Sequence, residues 1–172
     1  MINQDPKTLQ SEGLSVTDEN IMVGIYNSPK KGILLVQRYS EPLHLPGGLI
    51  KQETDSRKSL DHLKKEKEKI QRFIFEKSGF ILRVKNKFAV FNFTRRQKSF
   101  LAFYLEYTET GRLPDWQKQK SFRYVFLQPD EIKNHANIKI EDRQILFYFL
   151  KNERMIKAKP YSPVAPIITI AL

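Results

Sequence analysis

Apolar runs separated by turn signals predict a series of strands. Residues 20–27 and 33–38 flank the turn sequence SPKKG, and residues 87–94 and 99–107 flank the basic turn RRQK. Glycine, proline and short polar residues between two apolar runs are typical of turns that join neighbouring strands. A further strand is predicted at 122–127, and the sequence QPDEI after it predicts the start of a short helix or a turn.

Two segments carry the periodicity of helices. From Ser56 to Lys77 the chain has no glycine or proline, and its apolar residues fall on one helical stripe: Leu60, Leu63, Ile70, Phe73 and Ile74. Gly79 is placed to end this helix at the C′ position. A last helix is predicted at about 141–153, with one apolar face: Ile145, Leu146, Phe149 and Leu150. Strands on both sides of one long helix, with a second helix near the end, predict an α+β fold in which helices sandwich a mixed β-sheet.

The length of 172 residues suits one domain with its own core. We expect a flexible arm at 1–18, the domain at 19–154, and a proline-rich tail at 155–172 whose apolar end docks on the domain or associates with a partner or another copy. No run of 18 or more apolar residues occurs, so no membrane span is predicted. The polar N-terminus resembles neither a secretory nor an organelle signal, which makes the cytoplasm the simplest expectation. The absence of cysteine excludes disulfides and thiolate zinc sites.

Charge adds an anionic partner to this picture. The chain has 30 basic and 19 acidic residues and a formal net charge of +11, which favours a nucleotide, a nucleic acid or an acidic surface as partner. The basic residues are scattered, and their densest cluster, KKEKEK at 64–69, is mixed in sign. No RNA-binding motif of interleaved aromatic and basic residues is evident, so the sequence favours a small anion, with nucleic acid as an open alternative.

The sequence HLPGGLIKQE at 44–53 suggests a diphosphate site. A Gly–Gly turn lets the backbone approach a phosphate closely, because no Cβ intervenes. Carboxylates on the following helix could hold Mg²⁺, which prefers oxygen ligands and bridges phosphates. Such a combination would suit hydrolysis of a diphosphate by metal-bound water.

The order of these parts resembles the Nudix family. A strand ends in Arg38, LPGG follows, five residues separate Gly47 from Glu53, and the next helix ends in EKSGF. The Nudix box has the pattern Gly, five residues, Glu, seven residues, then Arg-Glu-apolar-x-Glu-Glu-x-Gly-apolar. The resemblance covers roughly residues 20–152 in element order.

The resemblance implies a Nudix-type α/β/α sandwich and a divalent-metal hydrolase of a nucleoside diphosphate derivative. It assigns Glu76, Glu53 and Arg72 to catalysis, with Glu76 as a metal ligand. It assigns substrate binding to Gly47, Gly48 and Arg38.

The box departs from the family pattern in two ways. Arg72 lies nineteen positions after Glu53 rather than eight, so the box is 11 residues too long. The extra residues either extend the helix or form a loop, in which case the core helix begins near Lys69. In addition, Phe73 and Lys77 stand where the pattern has two glutamates. Phenylalanine indicates packing at that position, and a lysine opposes the binding of a cation.

These departures favour a Nudix-like domain that binds a nucleoside-diphosphate-type ligand with weak or lost Mg²⁺-dependent hydrolysis. One alternative is an active pyrophosphohydrolase in which a substitute acid, Glu66 or Glu131, completes the metal shell. Another is a non-catalytic module that binds RNA or a protein. Mg²⁺ is an expected cofactor only for the active alternative, since the acidic pair is incomplete.

Overall fold

The computed structural model describes residues 19–50, 60–107, 122–160, 162 and 164–172, with the side chains of the first helix described from Lys64 onward. The predicted arm at 1–18 and the predicted site residue Glu53 lie outside these ranges. Within them, no helix is long and apolar enough to cross a membrane.

The first two strands form the predicted hairpin. Strand β1 spans Glu19–Ser28 and β2 spans Gly32–Arg38, and they pair antiparallel across the predicted turn. Gly32 has a φ of 101°, a left-handed conformation that favours glycine, and a Cβ there would lie 2.3 Å from the carbonyl oxygen of Leu127. The turn sequence therefore fixes both the hairpin and the approach of the later strand that contains Leu127.

In the part of the chain that the structure describes, seven strands form one mixed sheet. The remaining strands are β3 (Gly47–Leu49), β4 (Leu82–Phe93), β5 (Lys98–Tyr107), β6 (Phe122–Leu127) and β7 (Ile167–Ile170). Their order across the sheet is β6-β2-β1-β5-β4-β7, and β3 pairs with β1. Strand β1 is parallel to β5 and antiparallel to β2 and β3, so the predicted mixed sheet is confirmed.

Helices cover both faces of the sheet. Helix α1 spans Leu60–Ser78 and packs against one face, while the long helix α3 (Ile140–Ala158) packs against the other. A short helix, α2 (Pro129–Asn134), follows β6 where QPDEI predicts it. The α+β sandwich expected from the hydrophobic pattern is therefore correct.

Helix α1 is continuous from Leu60 to Ser78. It therefore begins well before Lys69, where the loop alternative placed the start of the core helix. Ile70 and Ile74 of the predicted stripe are fully buried. The helix ends as predicted at Gly79, whose φ is 75° and whose N–H donates to the carbonyl of Phe75 at 2.8 Å.

The C-terminal segment completes the sheet. Helix α3 begins near the predicted start but runs to Ala158, five residues beyond the predicted end at 153. After the prolines, β7 adds in parallel to β4, and Ile168, Ile170 and Leu172 pack on the core. The Asn86 side chain donates to the carbonyls of Ile156 and Lys159 at 2.7 and 3.2 Å, which fixes the end of α3 against the sheet. The apolar end of the tail therefore docks on the domain.

Candidate functional site

Gly47 lies directly against the backbone of β1. It pairs with Val23 in the antiparallel β3–β1 ladder, and the N–H of Gly24 donates to the carbonyl of Pro46 at 2.9 Å. A Cβ at Gly47 would lie only 1.8 Å from the carbonyl oxygen of Met22. The close packing of β3 against β1 therefore requires glycine at position 47.

Gly48 is covered by an aromatic ring. A Cβ at Gly48 would meet three ring atoms of Phe73, at 3.2 to 3.3 Å. Phe73 belongs to helix α1, is half-buried, and packs against the apolar cluster on that face of the sheet. The predicted Gly–Gly turn is wrong, because both glycines lie in strand β3, and the surface that Gly48 would offer to a phosphate is in contact with a phenyl ring.

Arg72 and Glu76 occupy the same stretch of α1, one turn apart. Arg72 is exposed and Glu76 is half-buried. Lys157 and Glu153 form an ion pair at 2.6 Å with the same spacing on α3, whereas no ion pair between Arg72 and Glu76 occurs in the described part of the chain. The local i,i+4 pair that would explain Glu76 without a ligand is therefore absent.

Lys77 is the most informative side chain of the helix end. Its ammonium lies 6.0 Å from the centre of the Phe122 ring, and the Arg38 guanidinium lies 5.7 Å from the same ring. Burial, together with the nearby charges of Lys139 and Arg38, holds the pKa of Lys77 below its usual value, opposed by Asp142 and Glu76. We call the three basic residues Arg38, Lys77 and Lys139 the cationic cleft.

Asp142 lies near the start of helix α3 and is 3% exposed. Its carboxylate accepts a hydrogen bond from the N–H of Leu45 at 3.3 Å, just before strand β3. Burial raises the pKa of Asp142 to about 7, although Lys139 and the Leu45 hydrogen bond act in the opposite direction. In the same loop, burial lowers the pKa of His44 to about 4. Both side chains therefore favour their neutral forms in the folded protein.

These two groups predict a specific effect of pH on stability. Below its folded pKa of about 7 and above its unfolded value of 3.8, Asp142 binds a proton only in the folded state, so stability falls as pH rises. Between about 4 and 6.5, His44 binds a proton only in the unfolded state, so stability rises with pH and the two effects cancel. Relative to the unchanged protein, Asp142→Asn should add a positive slope of about 1.4 kcal/mol per pH unit between pH 4.5 and 6.5.

Urea unfolding at pH 4.5, 5.5 and 6.5 measures this slope, because other titrating groups cancel in the difference between variants. His44→Gln is the matched control and should add a slope of the opposite sign over the same range. Equal slopes in both variants would show that neither side chain changes its protonation on folding.

The described residues do not fit a Mg²⁺ site. Among them, no three Asp, Glu, His or Cys side chains converge to hold a metal ion. Glu66, one proposed substitute acid, is buried in an ion pair with Lys87 at 2.9 Å. Glu131, the other, accepts the N–H of Gln128 at 2.6 Å at the start of α2. Of these predicted ligands, Glu76 has no ion pair in the described part of the chain, and Lys77 directly follows it.

The structure also adds residues that the sequence did not single out. Lys139, the residue before helix α3, and Asp142, in its first turn, reach the site although they lie about a hundred residues after Gly47. Nothing in the sequence around them distinguishes them from an ordinary polar helix start. Lys139 and Asp142 come to the site only through the fold. The N–H of Leu45 donates to Asp142, and a β-bridge pairs Leu43 with Ile138, just before α3.

Comparison with solved structures identifies the fold. A NUDIX hydrolase from Nitrosomonas europaea is 15% identical, with a TM-score of 0.55 over 91% of this chain and 81% of that chain. A MutT protein from Methanosarcina mazei is 17% identical, with a TM-score of 0.54 over 79% and 95%. An ADP-ribose pyrophosphatase from Streptococcus suis is 17% identical, with a TM-score of 0.51 over 90% and 100%.

No protein-family model matches the sequence, and no curated protein matches it in sequence. At these identities the likeness to solved structures concerns the fold alone. With its mixed sheet and a helix covering each face, the chain has the Nudix fold.

Proposed function

We propose that this protein binds a nucleoside-diphosphate-type ligand in the cationic cleft, and that Mg²⁺-dependent hydrolysis is weak or lost. One observation carries the proposal: the half-buried Lys77 directly follows Glu76, where the Nudix pattern has a second acid, and the cations of Lys77 and Arg38 lie 6.0 and 5.7 Å from the centre of the same Phe122 ring.

The charge in the cleft suits a diphosphate without a metal. A diphosphate needs positive charge around it, and here Arg38, Lys77 and Lys139 supply that charge from three separate elements. Arginine offers a planar fork that fits phosphate oxygens, and lysine acts as a compact point charge. Burial disfavours the charged form of Lys77, and a bound anion would stabilise that charged form.

The surroundings of the cleft oppose the metal alternative. A Mg²⁺ site needs several oxygen ligands in near-octahedral order. Phe73 packs on Gly48 instead of presenting a carboxylate, and the Lys77 charge would repel a cation held by Glu76. These contacts support binding over hydrolysis as the retained property.

The ligand class draws support from one structural neighbour. The Streptococcus suis protein is an ADP-ribose pyrophosphatase by name, and ADP-ribose is a nucleoside diphosphate derivative. The Phe122 ring, whose centre lies 5.7 Å from the Arg38 guanidinium and 6.0 Å from the Lys77 ammonium, places an aromatic side chain next to the proposed phosphate position. ADP and ADP-ribose are therefore the first ligands to test.

Calorimetric titration with ADP in the presence of a chelator tests the binding. We expect metal-independent binding, and a roughly tenfold loss of affinity, about 1.4 kcal/mol, in Lys77→Gln because one charged contact to the diphosphate is removed. Lys151→Gln, an exposed lysine on helix α3, is the matched control and should leave the affinity unchanged. Binding that disappears with the chelator would contradict the proposal.

Hydrolysis is measured separately, as phosphate or nucleotide release from ADP and ADP-ribose with Mg²⁺ or Mn²⁺. We expect little turnover, and no further loss in Glu76→Gln. Rapid turnover that Glu76→Gln abolishes would instead establish the active hydrolase, with Glu76 as its metal ligand.

A further inference from the structure

Strand β6 lies at one edge of the described sheet and carries aromatic side chains on one of its faces. Phe122, Tyr124 and Phe126 alternate with other residues, so they point to the same side of the strand. Phe80, just after helix α1, packs edge-on against Tyr124 at 4.9 Å and against Phe126 at 5.8 Å between ring centres. We call these four residues the aromatic stripe.

Cations flank both ends of the stripe. Arg38 and Lys77 lie at the Phe122 end, in the cationic cleft. At the other end, the Lys31 ammonium lies 5.5 Å from the centre of the Phe126 ring. Phe122 and Phe126 are four strand residues apart, so the two ends of the stripe are separated by about 13 Å along the strand.

Two tyrosine rings are open to solvent along this surface. Tyr124 is 48% exposed in the middle of the stripe. Tyr39 is 73% exposed beside Arg38, whose guanidinium lies 5.9 Å from its ring centre. Exposed aromatic rings offer faces for flat groups, and the cations near them offer positive charge for the phosphates that link those groups.

The distance between the two ends of the aromatic stripe favours an extended ligand. A single nucleoside diphosphate placed at Arg38 and Lys77 would leave Lys31 without a phosphate. A stacked nucleic-acid strand advances about 3.4 Å per phosphate, so a span of about 13 Å takes about four nucleotides. The formal net charge of +11 favours such a polyanion over a neutral or basic partner.

We propose that the aromatic stripe binds single-stranded nucleic acid, with bases on Tyr124 and Tyr39 and phosphates at Lys31 and at Arg38 with Lys77. This inference rests on the proposed function for the phosphate at the Arg38 end, and extends it along β6. Stacking requires unpaired bases, so a duplex is a poor ligand for this surface.

Fluorescence anisotropy with labelled eight-nucleotide poly-dT and poly-U, at several salt concentrations, tests the inference. Tyr124→Ala should lose roughly tenfold in affinity because one stacking face is removed. Lys31→Gln should lower the dependence of log affinity on log salt by about 0.7, the contribution of one phosphate contact in a single strand. Matched controls lie on helix α3, across the sheet: Phe147→Ala for the exposed ring and Lys151→Gln for the exposed lysine.

ADP titrations of the same Lys31→Gln protein separate this inference from the proposed function. Lys31 contacts Phe126, at the opposite end of the stripe from Phe122, so ADP affinity should be unchanged while oligonucleotide affinity falls. If ADP binds and the oligonucleotides do not, or if Tyr124→Ala behaves like Phe147→Ala, the inference is wrong and the proposed function stands. Equally tight binding of poly-glutamate would also overturn it, since an acidic polypeptide would then explain the surface.

Discussion

Replacing Phe73 and Lys77 together by glutamate should create a Mg²⁺ site on helix α1. With Glu76, the new carboxylates stand at i, i+3 and i+4 on one helix face, which brings their oxygens together. The Lys77 charge that opposes a cation is removed in the same step. We expect Mg²⁺ affinity to rise by roughly a hundredfold, about 2.7 kcal/mol, measured by calorimetric titration with Mg²⁺ alone.

The matched control is Phe73→Gln with Lys77→Gln, which removes the same ring and the same charge without adding carboxylates. Both double variants lose the contact of Phe73 with Gly48, so both should show a similar loss of stability by thermal unfolding. If the glutamate variant binds Mg²⁺ no better than the glutamine variant, this helix face does not correspond to a metal site. The claim that Lys77 replaces a metal-binding acid would then be wrong.

Gly47→Ala should destabilise the protein severely. The new Cβ would lie 1.8 Å from the carbonyl oxygen of Met22, and that atom belongs to the backbone of a central strand that cannot move aside. We expect a loss of more than about 4 kcal/mol of unfolding free energy, measured by urea unfolding, because β3 must detach from β1.

Alanine at two other glycines provides a comparison for the stability loss expected in Gly47→Ala. At Gly48 the new methyl group would meet the ring of Phe73 at 3.2 Å, which a small ring movement relieves, so Gly48→Ala should cost about 1 kcal/mol. At Gly79 the space is open and only the φ of 75° opposes alanine, again about 1 kcal/mol. A Gly47→Ala protein as stable as Gly48→Ala would show that the β3–β1 packing is looser than described.

The hydrophobic pattern was sufficient to predict the main elements of the fold. The strands at 20–27, 33–38 and 122–127 alternate or run apolar between clear turn signals, and each occurs in the sheet. Helix α1 and its end at Gly79 follow from a long stretch without glycine or proline and from the glycine that ends it. The pattern did not predict that the tail adds strand β7, because prolines interrupt it and the pairing with β4 is non-local.

The site was predictable only where local sequence determined it. Phe73 was expected to pack, and its ring does lie on Gly48. The cationic cleft needs Lys139 from a remote helix, which no spacing in the sequence reveals. The sequence also showed no interleaved aromatic and basic motif, because the aromatic stripe takes its cations from β2, from the turn before it and from α1 rather than from β6 itself.

A crystal structure of the protein with ADP and Mn²⁺ tests the central claim most directly, because anomalous scattering locates each manganese ion. We predict a diphosphate in contact with Lys77 and Arg38, with no manganese between it and Glu76. A manganese ion bound to Glu76 and bridging the diphosphate would contradict the claim that basic side chains have taken the place of the metal.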